Sequence, residues 1–286
     1  MKCLIVNADD FGYTRGVNEG IIRAFRHGVV SSTTIMANAA AFDHAVALSR
    51  ENPGLGVGCH LVLIGGKALT PAHEIPTLVD SAGNLPSVLP ELTQKLTSGA
   101  VREEDVEREL RAQIKKALDA GVQVTHLDSH HHTHRHPVVM KAALKLAVEF
   151  RILRVRNPFE DLWRLALPHV AGVHVWRSYH RSMPAVLKNA ISFRRLSRSH
   201  GVSTPEHFLI AGPRHRPRFL ELMRAARHGS SELMCHPGYY DGGIQNAEDD
   251  AMKRERETEL EILTSPEIRK EIERQRIKLI SFRALN

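Results

Sequence analysis

The chain of 286 residues is poor in cysteine: Cys3, Cys59 and Cys235 stand far apart and form no CxxC pair. An odd, scattered set of thiols argues against a disulfide framework and fits a reducing compartment. Long apolar runs are absent too. No stretch approaches the ~18 residues that a membrane-spanning helix needs, and the N-terminal MKCLIV is too short for the core of a signal peptide. A cytoplasmic protein with no membrane partner is the expectation. Two catalytic signatures are missing: no GxSxG marks a serine nucleophile and no GxxxxGK[ST] loop marks a phosphate cradle. No repeat, low-complexity tract or linker divides the chain, so residues 1–286 are expected to form a single domain.

What is present starts with a basic balance, net charge +7 with a pI near 9.5. That raises an anionic or nucleic-acid partner. The basic residues are spread along the chain, however, and become dense only around Phe193–His200 and Arg214–Arg218, so nucleic acid is the weaker reading. A homodimer is compatible with this composition.

Short β-rich runs alternate with helical patterns. Strands are expected at 2–6, 31–37, 55–63, 122–127, 152–156, 172–176, 207–211, 231–236 and 278–282. Helices are expected at 17–27, 42–50, 102–120, 137–150, 184–200, 218–227 and within 247–274, several with Gly stops or Pro starts. Such alternation implies βαβ units and a largely parallel sheet. An α/β fold follows, a single irregular TIM-like (β/α) barrel of about seven strands, with an open doubly wound sheet as the alternative.

Polar residues gather where four of these strands end. KCLIV runs into Asn7-Ala8-Asp9-Asp10, LGVGC into His60, VQVT into His126-Leu127-Asp128-Ser129-His130, and SELMC into His236-Pro237-Gly238. In parallel α/β folds the C-terminal strand ends carry the active site. Each residue also has an ordinary reading: Asp9-Asp10 as a turn or cap pair, His60 as a core histidine, His236 as a turn residue, and the six histidines of residues 125–137 as a solvated loop. Together those readings require four accidents at one edge.

A carboxylate with two neutral imidazoles leaves positions open on a divalent ion, where water and a substrate oxygen can meet. Asp10, His60 and one of the clustered histidines suit that role; the other aspartate suits a general base and His236 a general acid. Residue type does not decide between Mg²⁺ and Zn²⁺. Arg154 and Arg156, beyond a strand, are candidates for substrate contact or for a structural role.

The segments LIVNADDFGYTRGVNEGI, VGCHLVL, THLDSHHHTH and ELMCHPG closely resemble the motifs of the YdjC-like carbohydrate deacetylases, a family that includes chitooligosaccharide deacetylases and relatives linked to hopanoid biosynthesis. The resemblance runs in order from residue 4 to about 240, with LISF near 279–282 matching the last strand. It implies a metal-dependent deacetylase on a distorted seven-stranded barrel, which releases acetate from small N-acetylated sugars. It maps the metal ligands onto Asp10, His60 and His130, the base onto Asp9 and the acid onto His236. Asp128, His132, Arg154 and Arg156 become the expected groups around the substrate. The segment 157–205 matches nothing in the family's pattern; with 64–90 it is expected to overhang the site. A phosphoesterase would want more carboxylates or a second metal, and a non-enzymatic metal- or nucleic-acid-binding protein would not need four polar strand ends.

Overall fold

The computed structural model describes residues 1–159, 173–210, 216–224, 226–242 and 250–285. Along the chain lie β1 (Lys2–Phe11), α1 (Arg15–His27), β2 (Ser32–Ile35), α2 (Phe42–Glu51), β3 (Gly56–Leu61), α3 (Leu89–Thr97), α4 (Glu103–Asp119), β4 (Val124–Ser129), α5 (Pro137–Glu149), α6 (Val173–Ser199), β5 (His207–Ile210), α7 (Arg216–Arg224), β6 (Gly229–Cys235), α8 (Asp250–Leu263), α9 (Pro266–Arg274) and β7 (Ile277–Leu279).

Local chemistry explains the helices. Thr14 starts α1 by accepting the Val17 N–H with its hydroxyl, and Val17, Ile21 and Ala24 then bury one stripe. Helix α4 opens on Glu103, Glu104 and Asp105, whose negative charge suits the positive end of the helix dipole. Its Val106, Leu110, Ile114 and Ala117 recur at helical spacing and are buried against the layer below. Val106, Leu110 and Ile114 each contribute roughly 1.5–3 kcal/mol on leaving water.

Every strand pairing is parallel, in the order β4-β3-β2-β1-β6-β5, with β7 beside the first residues of β1. Between β4 and β5 the pairing is reduced to single bridges, Leu127 with Val155 and Arg154 with Ser203. The result is an irregular, incompletely laddered α/β barrel. Side chains alternate along a strand, so every second residue faces inward. At the N-terminal end of the strands the interior is closed by Ile5, Phe282 and Leu285. The His126 ring stacks on Phe282 with centroids 3.6 Å apart. Gly58 makes that possible, since a Cβ there would stand 2.5 Å from the His126 ring.

Four sequence expectations change. Strand β1 continues to Phe11, through the polar NADDF. Residues 152–156 pair only through the single bridges. The expected strand at 172–176 is helix from Val173 onward; its β-branched residues are the start of a segment that continues into the helical pattern expected from Pro184. The 247–274 region contains two helices, broken at Thr264-Ser265, with Pro266 opening the second. Residues 160–172 of the Arg/His-rich segment, Arg214 and residues 247–249 lie outside the described residues. The 64–90 stretch follows the C-terminal end of β3 and packs Ile64, Ile75, Leu78 and Leu85 into the core. Glu109 of α4 fixes it by accepting the Leu69 and Thr70 N–H groups.

Candidate active site

Asp9 and Asp10 are neighbours on a strand and would ordinarily face opposite sides of the sheet. Two features break the alternation. The register of β1 against β2 shifts between Ala8 and Phe11, and Asp10 has φ of 69°, the left-handed region that few residues other than glycine adopt. Such backbone strain gathers at functional sites. Both carboxylates thereby reach the interior, and both are buried.

His60, at the end of β3, is fixed from below. Its Nδ1 lies 2.7 Å from Asp128 Oδ1, and Thr34 bridges the pair, its hydroxyl 3.1 Å from His60 Nδ1 and donating to Asp128 Oδ2 at 3.1 Å. The carboxylate dictates the tautomer and leaves Nε2 as the free ring atom, 3.5 Å from Asp10 Oδ1. Burial works against the imidazolium, but Asp128 overrides it, followed by Asp9 and Asp10, and His60 is pushed up to about 9. On the other side of Asp10, His130 Nδ1 lies 3.2 Å from the same Oδ1. That oxygen is buried and makes no well-aligned hydrogen bond. Burial alone would raise the Asp10 carboxyl; Arg256, then His130, hold it well below the usual range.

Asp10, His60 and His130 offer one ligand atom each, all mutually close. Two ligands held about 2.1 Å from one ion at tetrahedral or octahedral angles stand about 3.0–3.4 Å apart. The 3.2 and 3.5 Å separations, the unpaired Oδ1 and the oriented His60 ring fit a divalent cation.

Asp9 belongs to a different cluster. The Arg156 guanidinium grips it with Nη1 on Oδ2 at 2.7 Å and Nη2 on Oδ1 at 2.6 Å, while Asn7 donates to Oδ1 at 2.9 Å. Arg156 also reaches Asp128 Oδ2 at 2.9 Å and Glu232 Oε1 at 2.7 Å. Burial would raise the Asp9 carboxyl, but Arg156 keeps it well below the ordinary carboxylate range, so it is ionised at every working pH. Glu232 goes the other way. Burial dominates, Arg156 counteracts it, and Asp9 and Asp128 add to the rise, pushing the carboxyl up to about 8.

His236 follows β6 directly and is half-buried, with its backbone N–H donated to the Glu259 carboxylate. Its electrostatic influence favours the ionised forms of Asp9 and Asp10.

The other expected residues are placed differently. Asp128 and Arg156 are fully buried behind His60 and Asp9, turned to those side chains and away from the open end. Arg154 sends Nε to the Leu285 carbonyl at 2.7 Å, near the closed end. His132 meets Phe208 edge-on, and burial followed by Arg135 holds it well below the usual imidazole range, hence neutral. Among the remaining histidines of the run, His134 bonds Ser129 and lies 3.3 Å from the Arg156 carbonyl, and His136 caps α5. Three residues were invisible to motif reasoning: Thr34, Glu232 and Arg256. Glu232 left a trace, a carboxylate within a buried strand segment, just before Leu233, Met234 and Cys235; Arg256 left none.

Fold and site together describe an irregular α/β barrel with an Asp/His/His cluster at the C-terminal strand ends. The model of the family described as YdjC-like protein matches residues 3–274, and this chain belongs to that family. It is 38% identical over 283 residues to a carbohydrate deacetylase of Brevibacillus brevis, covering 99% of both chains. It is also 34% identical to a chitooligosaccharide deacetylase of Enterobacter sp. strain 638, covering 98% of each. A solved structure from Enterococcus faecalis V583, described as a candidate cellobiose-phosphate cleavage protein, superposes with a TM-score of 0.79 at 30% identity, over 98% of this chain and 97% of that one.

Proposed function

We propose that this protein is a divalent-metal-dependent carbohydrate deacetylase, which hydrolyses the acetamide of an N-acetylated amino sugar or short oligosaccharide. The observation that carries the reading is the Asp10 Oδ1 atom, buried, unpaired and flanked by His60 Nε2 and His130 Nδ1. The names of the relatives supply the substrate class.

Asp10, His60 and His130 would hold the ion, and Asp128 would keep His60 Nε2 directed at it. When bound, a divalent ion supplies a Lewis acid that polarises the acetyl carbonyl and makes water a better nucleophile at neutral pH. Asp9 is the base. Of its lone pairs, Oδ1 gives two to Arg156 and Asn7 and Oδ2 one to Arg156, which leaves Oδ2 able to accept a proton from the attacking water. Because Arg156 lowers its basicity, Asp9 takes that proton transiently. His236, which follows β6, gives a proton to the departing amine as the C–N bond breaks, so acetate and the free amino sugar leave.

The test is acetate release from N-acetylglucosamine, di-N-acetylchitobiose and their phosphorylated forms, with and without chelator. Chelator-sensitive release from at least one amino sugar is expected. Phosphate release without acetate would replace the reading with a phosphoesterase, and no release from any member would remove the substrate class. A protein found in the same compartment as small soluble sugars suits this reaction.

A further inference from the structure

We infer that Arg256 of α8 is a positioning residue for the metal site: it takes one oxygen of Asp10 and so leaves the other free for the cation. This deepens the metal reading above and rests on it.

The need for such a residue comes from Asp10 itself. Its left-handed backbone sets the direction of Cβ, but the rotation of a carboxylate about its last bond is soft and roughly two-fold. A ligand that can present either oxygen, or both, is poorly defined. In the structure the choice is made. Arg256 Nη2 donates to Oδ2 at 2.5 Å, and Oδ1 is the atom left between the two imidazoles. Among the described residues Arg256 pairs with no other carboxylate, and its Nη1 is buried without a hydrogen-bond partner, so the guanidinium is not shared.

Arg256 is held in turn. It is almost fully buried, and its guanidinium lies over the Tyr13 ring, 6.0 Å from the centroid. Its own carbonyl accepts the Gly238 N–H at 3.2 Å. Glu257 and Glu259, on the same helix, accept the N–H groups of Tyr240 and His236. Helix α8 therefore reaches the metal side through a side chain and the His236 loop through its backbone and two carboxylates. A displacement of one would be felt by the other.

Two effects of Arg256 on a cation have opposite signs, and that makes the inference testable. A guanidinium near a metal repels it, so removal would tighten binding if charge dominated. Removal would weaken binding if orientation of Asp10 dominated; groups behind metal ligands typically contribute 10–100-fold in affinity. Orientation wins here, because the Arg256 charge is already spent on Oδ2 and, among the described residues, the buried Asp10 has no other partner for that oxygen.

The experiment measures Zn²⁺ affinity by competition with a chelating dye for wild type, Arg256→Met and Arg256→Lys, beside the thermal melt of each metal-free protein. Arg256→Met is expected to bind Zn²⁺ about 10–100-fold more weakly, with Arg256→Lys between it and wild type, since an ammonium restores the charge without the fork. Unchanged or tighter binding by Arg256→Met overturns the inference. Should Arg256→Met not fold, Arg256→Lys decides: weaker binding supports the positioning role, and wild-type affinity overturns it. A wild type that takes up no Zn²⁺ would overturn the metal reading and this inference with it. A wild type that binds, beside a variant that binds equally, overturns this inference alone.

Discussion

His60 and His126 lie on adjacent strands of one sheet, both fully buried, and their surroundings make them opposites. At the C-terminal end, His60 is surrounded by Asp128, Asp9 and Asp10, and is driven up to about 9. At the closed end, His126 stacks on Phe282 and pairs with the Thr125 hydroxyl at 2.8 Å; burial, then Arg156, pushes it well below the imidazole range. One ring presents a nitrogen to the Asp10 carboxylate, 3.5 Å away. The other fills space. A histidine's role is thus decided by whether a carboxylate stands behind it, and neither residue type nor burial alone distinguishes them.

The site end should fail in activity and the closed end in stability. The largest effect is expected from Asp9→Asn, which keeps the shape of the base and removes its charge. Deacetylation should fall by about 10²–10⁴-fold while metal content stays at the wild-type level. Loss of metal together with activity would mean that Asp9 and Asp10 had exchanged roles.

At the closed end the corresponding change is Gly58→Ala. The added Cβ meets the His126 ring at 2.5 Å, between two strands that cannot part cheaply. Overpacking of this kind costs about 1–3 kcal/mol, which a denaturant midpoint would register, with metal affinity untouched. A variant as stable as wild type would show that the closed end adapts more readily than its packing suggests.

Between the two ends lies Glu232, the third carboxylate on Arg156. Its folded-state carboxyl, near 8, is above the unfolded value, so its contribution to stability is fully present below about pH 4.3 and is lost as pH rises through 8. Glu232→Gln cannot ionise and still accepts from Arg156. Its melting temperature relative to wild type should therefore climb from pH 5 to about pH 8 and then level off. A difference that stays constant over that interval contradicts the assignment.

The smallest effect belongs to Arg154→Ala. It removes a bond to the Leu285 carbonyl, worth about 1 kcal/mol of stability, and should leave KM for the sugar unchanged. A marked rise in KM would return Arg154 to the substrate side.

Periodicity and turn residues located most elements to within a few positions, because the helices are amphipathic and bounded by Gly and Pro. The ends of the strands were harder. Asn7, Asp9 and Asp10 read as a loop, since polar residues are rarely buried; here each finds a partner inside the barrel and the strand runs on. The proposed metal ligands were legible because each lies at or just beyond the end of an apolar run. Arg256 was not, because KRERETE has the composition of a solvated helix face, and only the fold brings it 246 residues back to Asp10. Glu232 and Arg156 were similarly separated from Asp9 in sequence, so their shared ion pair could not be read from spacing. The segment 172–176 misled because a short β-branched run carries no period of its own.

In the proposed mechanism three strand ends build a cation site, and the histidine run contributes one ligand to it. The most direct measurement is metal content of purified wild type, His60→Ala and His126→Ala after loading with Zn²⁺ and desalting. One equivalent is expected in wild type and in folded His126→Ala, and loss of most of it in His60→Ala. Retention of a full equivalent by His60→Ala, or loss by His126→Ala with the fold intact, would contradict it.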